Sequence, residues 1–423
     1  MRNLSLKYTY YNSTYIALFL IVLLTVLIYS PILSNDFLYY WDDQWQVFNQ
    51  YTEGGINIKN LHNILTQSYG GQYSPVNEIM YLLLYSINKY DPFYFHLASL
   101  IIHSLNVLLV YLVFSKLFDS PKFKMKYSPK YIILLITLIY AIHPLNVETV
   151  AWISASKVVL YTFFYLLASY TYCIFLSTQH WKYYIYSIIL FILSFGSKEQ
   201  AITFPIWILF ITWLLGYDIK KEKKEYLKVI PIILISIIFF YITVNVQNTA
   251  EGDNYFDREF YPLWQRIVFC CYSIIEYLSK FILPYNLNYL YPFPVKTGES
   301  LPYWLLLYPL FTSIIIVSLW KYIIRWPILV GLLIFLIHIS TVAHIVPIAR
   351  HAIVADRYMY IPILGFCFIF AFYFCKSYFT SNMSKKYLIS ILAIIIVLLS
   401  ASSYSRCKAW KNSEKIRSEH ISL

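Results

Sequence analysis

Charge is what this sequence has least of. Asp, Glu, Lys and Arg make up 13% of its 423 residues, against about 25% in soluble domains. That shortage excludes an ordinary soluble protein, and 59% apolar side chains exclude disorder. Cysteine is also scarce. Cys173, Cys270, Cys271, Cys367 and Cys375 lie in apolar stretches and Cys407 stands alone near the end. No spacing among them suits zinc or haem, and no framework of pairs is visible, so a secreted disulfide scaffold is excluded. No Gly/Ser or Pro linker and no internal repeat divides the chain, which reads as one domain over 1–423. The N-terminus is basic, then apolar from Tyr15 to Leu33, with no small-residue cleavage site following. An uncleaved first span is expected there, not a signal peptide.

The apolar residues fall in blocks of about 17–25 with charges only between them, the pattern of membrane-spanning helices. Spans are expected at 15–34, 92–115, 131–143, 158–177, 183–195, 201–216, 229–244, 302–319, 327–342, 358–375 and 387–402. The reading is an all-α polytopic membrane protein of about eleven spans. Its net charge of +12 is topology, not a nucleic-acid face. The loop 116–130 carries Lys116, Lys122, Lys124, Lys126 and Lys130, and the loop 217–228 carries Lys220, Lys221, Lys223, Lys224 and Lys228. Both are expected in the cytoplasm. The first long loop, 35–91, holds only Lys59 and Lys89 against six acids and is expected outside. Segment 264–283, within the stretch 245–301, contains Arg266, Glu276 and Lys280, awkward in hydrocarbon. It suits a helix lying at the outer surface; if it spans, everything after it flips, and the Lys/Arg count alone slightly favours that flipped arrangement because the tail is basic. With it outside, the tail 403–423 is outside too.

One residue in five is aromatic, including 44 Tyr. Interfacial belts use Tyr and Trp, and so do sugar-binding surfaces. The outer stretches Tyr69–Tyr73, Tyr255–Trp264 and Tyr285–Phe293 suit either use.

Charged groups close to the bilayer mark function, and four places have them. Asp42 and Asp43 follow span one; adjacent carboxylates diverge, so at most one acts as a base toward an acceptor hydroxyl, or both simply begin a solvated loop. Glu148 lies in His143-Pro144-Leu145-Asn146-Val147-Glu148, four residues before Trp152 and on the same helical face; it could equally be an interfacial pair. Lys198, beside Glu199 in a tight hairpin, can hold a phosphate as a point charge, pair with Glu199, or snorkel. Arg350, His351, Asp356, Arg357 and Tyr358 stand where a lipid headgroup would lie, and Arg suits bidentate phosphate recognition. On span two, His96, Ser99, His103 and Asn106 form one stripe, expected to face the bundle and bond to other helices. The two histidines are two turns apart, roughly 10 Å, so metal binding is not expected.

In order, these blocks resemble a known family. They are Trp41-Asp42-Asp43, Tyr73-Ser74-Pro75, His96 with His103-Ser104-Leu105-Asn106, and His143-Pro144 with Glu148 and Val150-Ala151-Trp152. Ser197-Lys198-Glu199 and Ala355-Asp356-Arg357-Tyr358-Met359-Tyr360-Ile361-Pro362 complete the series. Over about 35–410 the chain resembles the transmembrane O-mannosyltransferases that carry tetratricopeptide repeats, with their bacterial relatives, in the GT-C glycosyltransferase superfamily.

The resemblance implies a GT-C-like bundle with interfacial helices in its outer loops. It implies transfer of a sugar, with inversion, from a polyprenyl-phosphate donor to a hydroxyl of a protein, glycan or lipid. Asp42 or Asp43 becomes the general base. Lys198, Arg350, His351 and Arg357 hold the donor phosphate, and His143, Glu199, Asp356 and Tyr358 orient substrate. Glu148 orients sugar or acceptor, or binds a divalent ion if one is needed. The phosphate is already an activated leaving group, so no cofactor is required and no metal is predicted.

Two departures stand out. Where the family has a Gly-Arg-Lys-Asp-like run, this chain has Ala155-Ser156-Lys157-Val158, with Ser156 and Val158 in place of the Arg and the acid; donor or acceptor preference, or activity itself, is expected to change. The repeats do not follow Trp410, so a small acceptor or one presented by a partner is expected. A transporter or flippase for polyprenyl-linked sugars is a rival reading, though no inverted repeat or pair of broken helices supports it. A non-catalytic lipid-binding scaffold is another. Abundant Ile, Lys, Asn and Tyr suggest an AT-rich genome and hence a bacterial inner membrane, with the site facing the periplasm.

Overall fold

Each apolar block of the sequence folds as a helix in the computed structural model, which describes residues 2–250, 260–346, 352–381 and 383–421. In chain order the helices begin with α1 (Arg2–Tyr29), then α2 (Asp43–Gln46), α3 (Gln50–Glu53), α4 (Ile58–Thr66) and α5 (Pro75–Asn88) in the first loop. Next come α6 (Pro92–Leu117), α7 (Lys130–Ile142), α8 (Val147–Ala151), α9 (Ser156–Thr178), α10 (Trp181–Ser197) and α11 (Phe204–Leu214). The second half holds α12 (Lys223–Leu227), α13 (Ile230–Ala250), α14 (Leu263–Ile282), α15 (Leu307–Ile323) and α16 (Trp326–Ile339). It closes with α17 (Ile363–Thr380), α18 (Lys385–Ala409) and α19 (Ser413–Ile421).

The local signals explain the boundaries. Asp91 accepts from the Phe93 amide and Pro92 opens α6, a cap and first-turn proline together. Asn49 and Asn57 cap α3 and α4 in the same way. His143 is forced into extended backbone by Pro144, and the apolar run breaks there with a bend of 54° between α7 and the segment Pro144–Ala151.

Among the described residues, seven helical segments are long and apolar enough to cross a membrane: Ser13–Ser34, Pro92–Leu117, Ile153–Thr178, Lys223–Val246, Tyr303–Ile323, Ile363–Thr380 and Lys385–Ala409. Counting the bent pair as one crossing makes eight. Eleven full-length spans are not seen. The helices at the other expected positions are short: α10 has 17 residues and α16 has 14, about 26 and 21 Å against a hydrocarbon core of about 30 Å. Glu199–Leu214 is short as well, its first turn wound as a 3₁₀ helix.

Two ends of the bundle are clear from the contacts. At one, the Asn35 side chain donates to the Cys407 carbonyl at 3.0 Å, the Asp36 amide to Lys411 at 2.8 Å, and the Ser403 hydroxyl to Ile142 at 2.6 Å. The C-terminal ends of α1, α7 and α18 therefore meet on one face. At the other, Lys130 donates to Ser13 at 2.6 Å, Ser120 to the Leu214 carbonyl at 2.5 Å and Lys228 to Gln179 at 3.1 Å. The two lysine-rich loops share that face.

Helix α14 is not apolar enough to be a candidate span. It buries Gln265, Val268, Phe269, Ser273, Tyr277 and Lys280 at spacings of three and four, the one-sided pattern of an amphipathic helix. A two-stranded antiparallel ribbon, β1 (Tyr291–Pro292) with β2 (Ala352–Val354), follows beside it. It is the departure from an all-helical reading. α16 and α17 touch through Gly331 and Gly365: a Cβ on Gly365 would lie 2.2 Å from the Gly331 carbonyl oxygen. Tyrosine is used inside as well as at the rim. Tyr29, Tyr81, Tyr140, Tyr165, Tyr172, Tyr277 and Tyr360 are all buried, and hydroxyl bonds such as Tyr172–Thr212 at 3.0 Å join helices. The stripe on α6 is buried as expected, and its second half bonds across helices: His103 meets the Tyr360 hydroxyl at 2.6 Å and Asn106 donates to the Val159 carbonyl at 2.9 Å, whereas among the described residues the Ser99 hydroxyl has no hydrogen-bond partner.

Candidate active site

The loop after α1 is tied to the end of α18 by Asn35 and Asp36, which fixes where Trp41-Asp42-Asp43 begins. Asp43 opens α2 and is fully buried. Its Oδ2 accepts from the Leu38 amide at 2.8 Å; its Oδ1 accepts from the Ser154 amide at 2.9 Å and from the Ser154 hydroxyl. Burial pushes its carboxyl up to about 6, against the opposing effect of these bonds. Asp43 is a staple between the first loop and the turn before α9. Asp42 turns the other way, half-buried, and among the described residues its side chain bonds only the Gln46 amide, at 3.5 Å. Of the two adjacent carboxylates it is the accessible one.

Glu148 projects from α8 with a fully buried side chain. It accepts twice from Arg357, through the backbone amide at 2.9 Å and through the guanidinium. Trp152, one turn on, lies under the same guanidinium at 5.3 Å, so the Glu148–Trp152 spacing cradles one arginine. Burial lowers the Arg357 pKa, but Glu148, Tyr358 and Asp42 outweigh it and the guanidinium stays charged. Asp356 and Arg357 do not pair with each other. Asp356 accepts from the Tyr291 hydroxyl at 3.1 Å and faces Arg406 at 4.0 Å. Burial pushes the Asp356 carboxyl up, with Glu148 adding to it and Arg406 and Lys280 opposing. The ribbon thus aims one residue of the pair at α18 and leaves the next for Glu148.

Lys198 caps α10, with Nζ 3.8 Å from the Glu199 carboxylate. Gly196 just before it lets α10 lie against α5, since a Cβ there would meet Val76 at 2.8 Å. Lys157, from the departing run, is buried and donates to Gln46 at 2.9 Å and Gln72 at 2.7 Å. It is within electrostatic range of Lys198, Glu199, Asp42 and Arg357. Ser156 bonds Tyr81 at 3.0 Å, and Val158 is buried in the core. Glu78 stands behind this group, accepting from Asn49 at 3.0 Å; burial pushes it up to about 7, with Asn49 and Lys157 opposing.

Asp42, Lys157, Lys198, Glu199, Glu148 and Arg357 therefore gather from the first loop, the starts of α8 and α9, the α10–α11 hairpin and the turn before α17. His143 is elsewhere in role: its Nδ1 accepts from the Leu145 amide at 3.2 Å and its Nε2 meets the Phe281 carbonyl at 3.1 Å, so both nitrogens serve backbone. Tyr358 is buried beside Arg357, whose guanidinium lies 5.1 Å from its ring. Arg350, His351 and residues 255–259 of the aromatic stretch lie outside the described residues. Lys157, Gln46 and Gln72 were not expected at the site. The signal for Lys157 was present, since it is the one residue the departing run shares with the family's Lys.

The chain is 25% identical, over 432 aligned residues, to Protein O-mannosyl-transferase F38B6.6 of Caenorhabditis elegans. It is a distant homologue of an O-mannosyl-transferase. The match covers 96% of this chain, so it takes in every segment that contributes to the charged cluster. The chain spans 57% of the length of that relative. No family model matches the chain.

Proposed function

We propose that this chain is an inverting glycosyltransferase that moves a sugar from a polyprenyl-phosphate donor to an acceptor hydroxyl, with mannose the first sugar to test. The observation that carries the reading is the gathering of carboxylate and cations at one end of a membrane bundle: Gln46 bonds both Asp42 at 3.5 Å and Lys157 at 2.9 Å, and Lys157 is within electrostatic range of Asp42, Lys198 and Arg357. Asp42 takes the proton from the acceptor hydroxyl as its oxygen attacks the anomeric carbon. The carbon–oxygen bond to the phosphate breaks with inversion, and the cations receive the departing polyprenyl phosphate. General-base assistance contributes on the order of 10²–10⁴-fold, and fixed charges at the leaving group lower the barrier further. Glu148 does not need to touch substrate in this scheme; it aims Arg357. Arg350 and His351 remain proposed donor ligands, and Glu199, Asp356 and Tyr358 proposed orienting groups.

The same face is proposed to be the periplasmic one. Because α1 and α18 end together there, the number of crossings from first to last is odd, which favours eleven, with α10, Glu199–Leu214 and α16 as short spans and α14 at the surface. The lysine-rich opposite face is then cytoplasmic.

A structure with a polyprenyl phosphate bound tests the donor site. Its phosphate is expected within about 4 Å of Lys157, Lys198 or Arg357; a phosphate held at the lysine-rich face removes the proposal.

A further inference from the structure

A cavity of about 270 Å³ opens at the lysine-rich end of the bundle. It lies between the loop before α7, the turn between α15 and α16, and the last turns of α17. Helix α17 starts beside the candidate active site and runs 18 residues, about 27 Å, so the cavity is at the far face. Three cations line it, one from each piece: Lys126, Arg325 and Lys376. Tyr127 and Tyr373 supply hydroxyls, and Phe372 gives an apolar wall. Among the described residues no acidic residue lines it.

Part of the positive charge on the same face is neutralised locally. Lys116 pairs with Asp119 at 3.7 Å and Lys228 with Glu225 at 2.7 Å. Among the described residues none of the three cavity cations has a carboxylate partner. Arg325 lies over the Tyr322 ring at 4.4 Å and Lys376 over Tyr373 at 5.9 Å. Topology alone asks for positive loops; it does not require three segments to bring unpaired charges around one hollow, where they repel. An anion would relieve that repulsion. Helix α15, leading down to Arg325, is almost wholly exposed, with Leu319 and Trp320 on its surface. It offers an apolar track for acyl chains ending at the cavity.

We propose that this cavity binds the phosphate headgroup of an anionic phospholipid from the leaflet on that face, with its chains along α15. Lys126, Arg325 and Lys376 contact the phosphate, and Phe372 and Met125 pack against the glycerol. The site is separate from the sugar-donor site and does not rest on the proposed activity. Each cation near an anionic membrane surface is worth about 1 kcal/mol, or about fivefold in affinity.

The test is lipid binding by the purified full chain, read by native mass spectrometry and by thermal shift. Phosphatidylglycerol, phosphatidylcholine and inorganic phosphate are the probes. Phosphatidylglycerol is expected to be retained and to stabilise. The triple variant Lys126→Gln, Arg325→Gln, Lys376→Gln is expected to lose about 100-fold in that affinity. A charge-matched control on the same face, Lys220→Gln, Lys221→Gln, Lys223→Gln, is expected to keep it. If the triple variant does not fold, the single variants carry the test, each expected to lose about fivefold, with Arg325→Lys retaining binding. Equal retention of phosphatidylcholine, equal loss in the control, or inorganic phosphate giving the full stabilisation would each overturn the proposal.

Discussion

Glu148 holds Arg357 at two points, accepting from its backbone amide at 2.9 Å and from its guanidinium. The two residues are 209 positions apart. The carboxylate is fully buried while the guanidinium keeps 22% exposure, so the pair presents a positive edge outward and hides the negative one. That asymmetry is what a phosphate-receiving site needs.

Removing one member of a buried pair leaves an uncompensated charge and costs about 3–5 kcal/mol. Glu148→Gln is therefore expected to destabilise strongly and raise KM for the lipid donor. Glu148→Gln with Arg357→Gln together is expected to recover part of the stability but none of the activity. A double-mutant cycle on thermal stability, run beside a transfer assay, checks both.

Asp42 and Asp43 are expected to separate cleanly. Asp43→Asn sets an amide NH₂ against donors that one of the two carboxylate oxygens now accepts, and should lower stability. Asp42→Asn should leave thermal stability within error of the parent and remove catalysis. Loss of folding in Asp42→Asn, with Asp43→Asn intact, would reverse the assignment.

The pH dependence follows from Asp43. Its carboxyl is raised to about 6 from 3.8 by burial, so the folded state binds more protons than the unfolded chain between about pH 4 and 6. Stability contributed by this group is greatest below that window and falls as pH rises through it. Glu78, raised to about 7, extends the fall toward neutrality. Glu78→Gln is expected to flatten the upper part of a stability–pH curve measured by thermal shift.

Lys157 donates to two glutamines and lies within electrostatic range of Asp42 and Arg357. Lys157→Gln is expected to weaken donor use by about 10–100-fold, the range for a lost charged hydrogen bond, seen mainly in kcat/KM. Val158→Asp is expected to unfold the local core, because Val158 is buried there without a polar partner, and not to restore the family's acid.

Gly365→Ala would set a methyl group 2.2 Å from the Gly331 carbonyl. Separating α16 from α17 is expected to cost about 1–3 kcal/mol, measured as reduced thermal stability with the active-site residues untouched.

The positions of the long apolar helices, the end of one at His143 and the burial of the α6 stripe were legible in the sequence, because each depends on nearby residues and on apolar spacing. The number of full crossings was not. Hydropathy marks an apolar run but not where its first turn tightens, as at Glu199–Thr203. The choice between Asp42 and Asp43 was also hidden, since the partner that buries Asp43 is Ser154, 111 residues away. Arg357 was recognisable as a charge near the bilayer, yet its partner Glu148 could be named only as a separate site. The tyrosine excess suggested belts and sugar surfaces, while eleven of the 44 are buried in the interior.

The most direct measurement is sugar transfer from a polyprenyl-phosphate-linked labelled mannose by the purified chain in proteoliposomes, with product anomer determined by NMR. The parent chain is expected to transfer with inversion, and folded Asp42→Asn about 10²–10⁴-fold more slowly. Transfer by Asp42→Asn at the parent rate, or a product of retained configuration, would contradict the proposed chemistry.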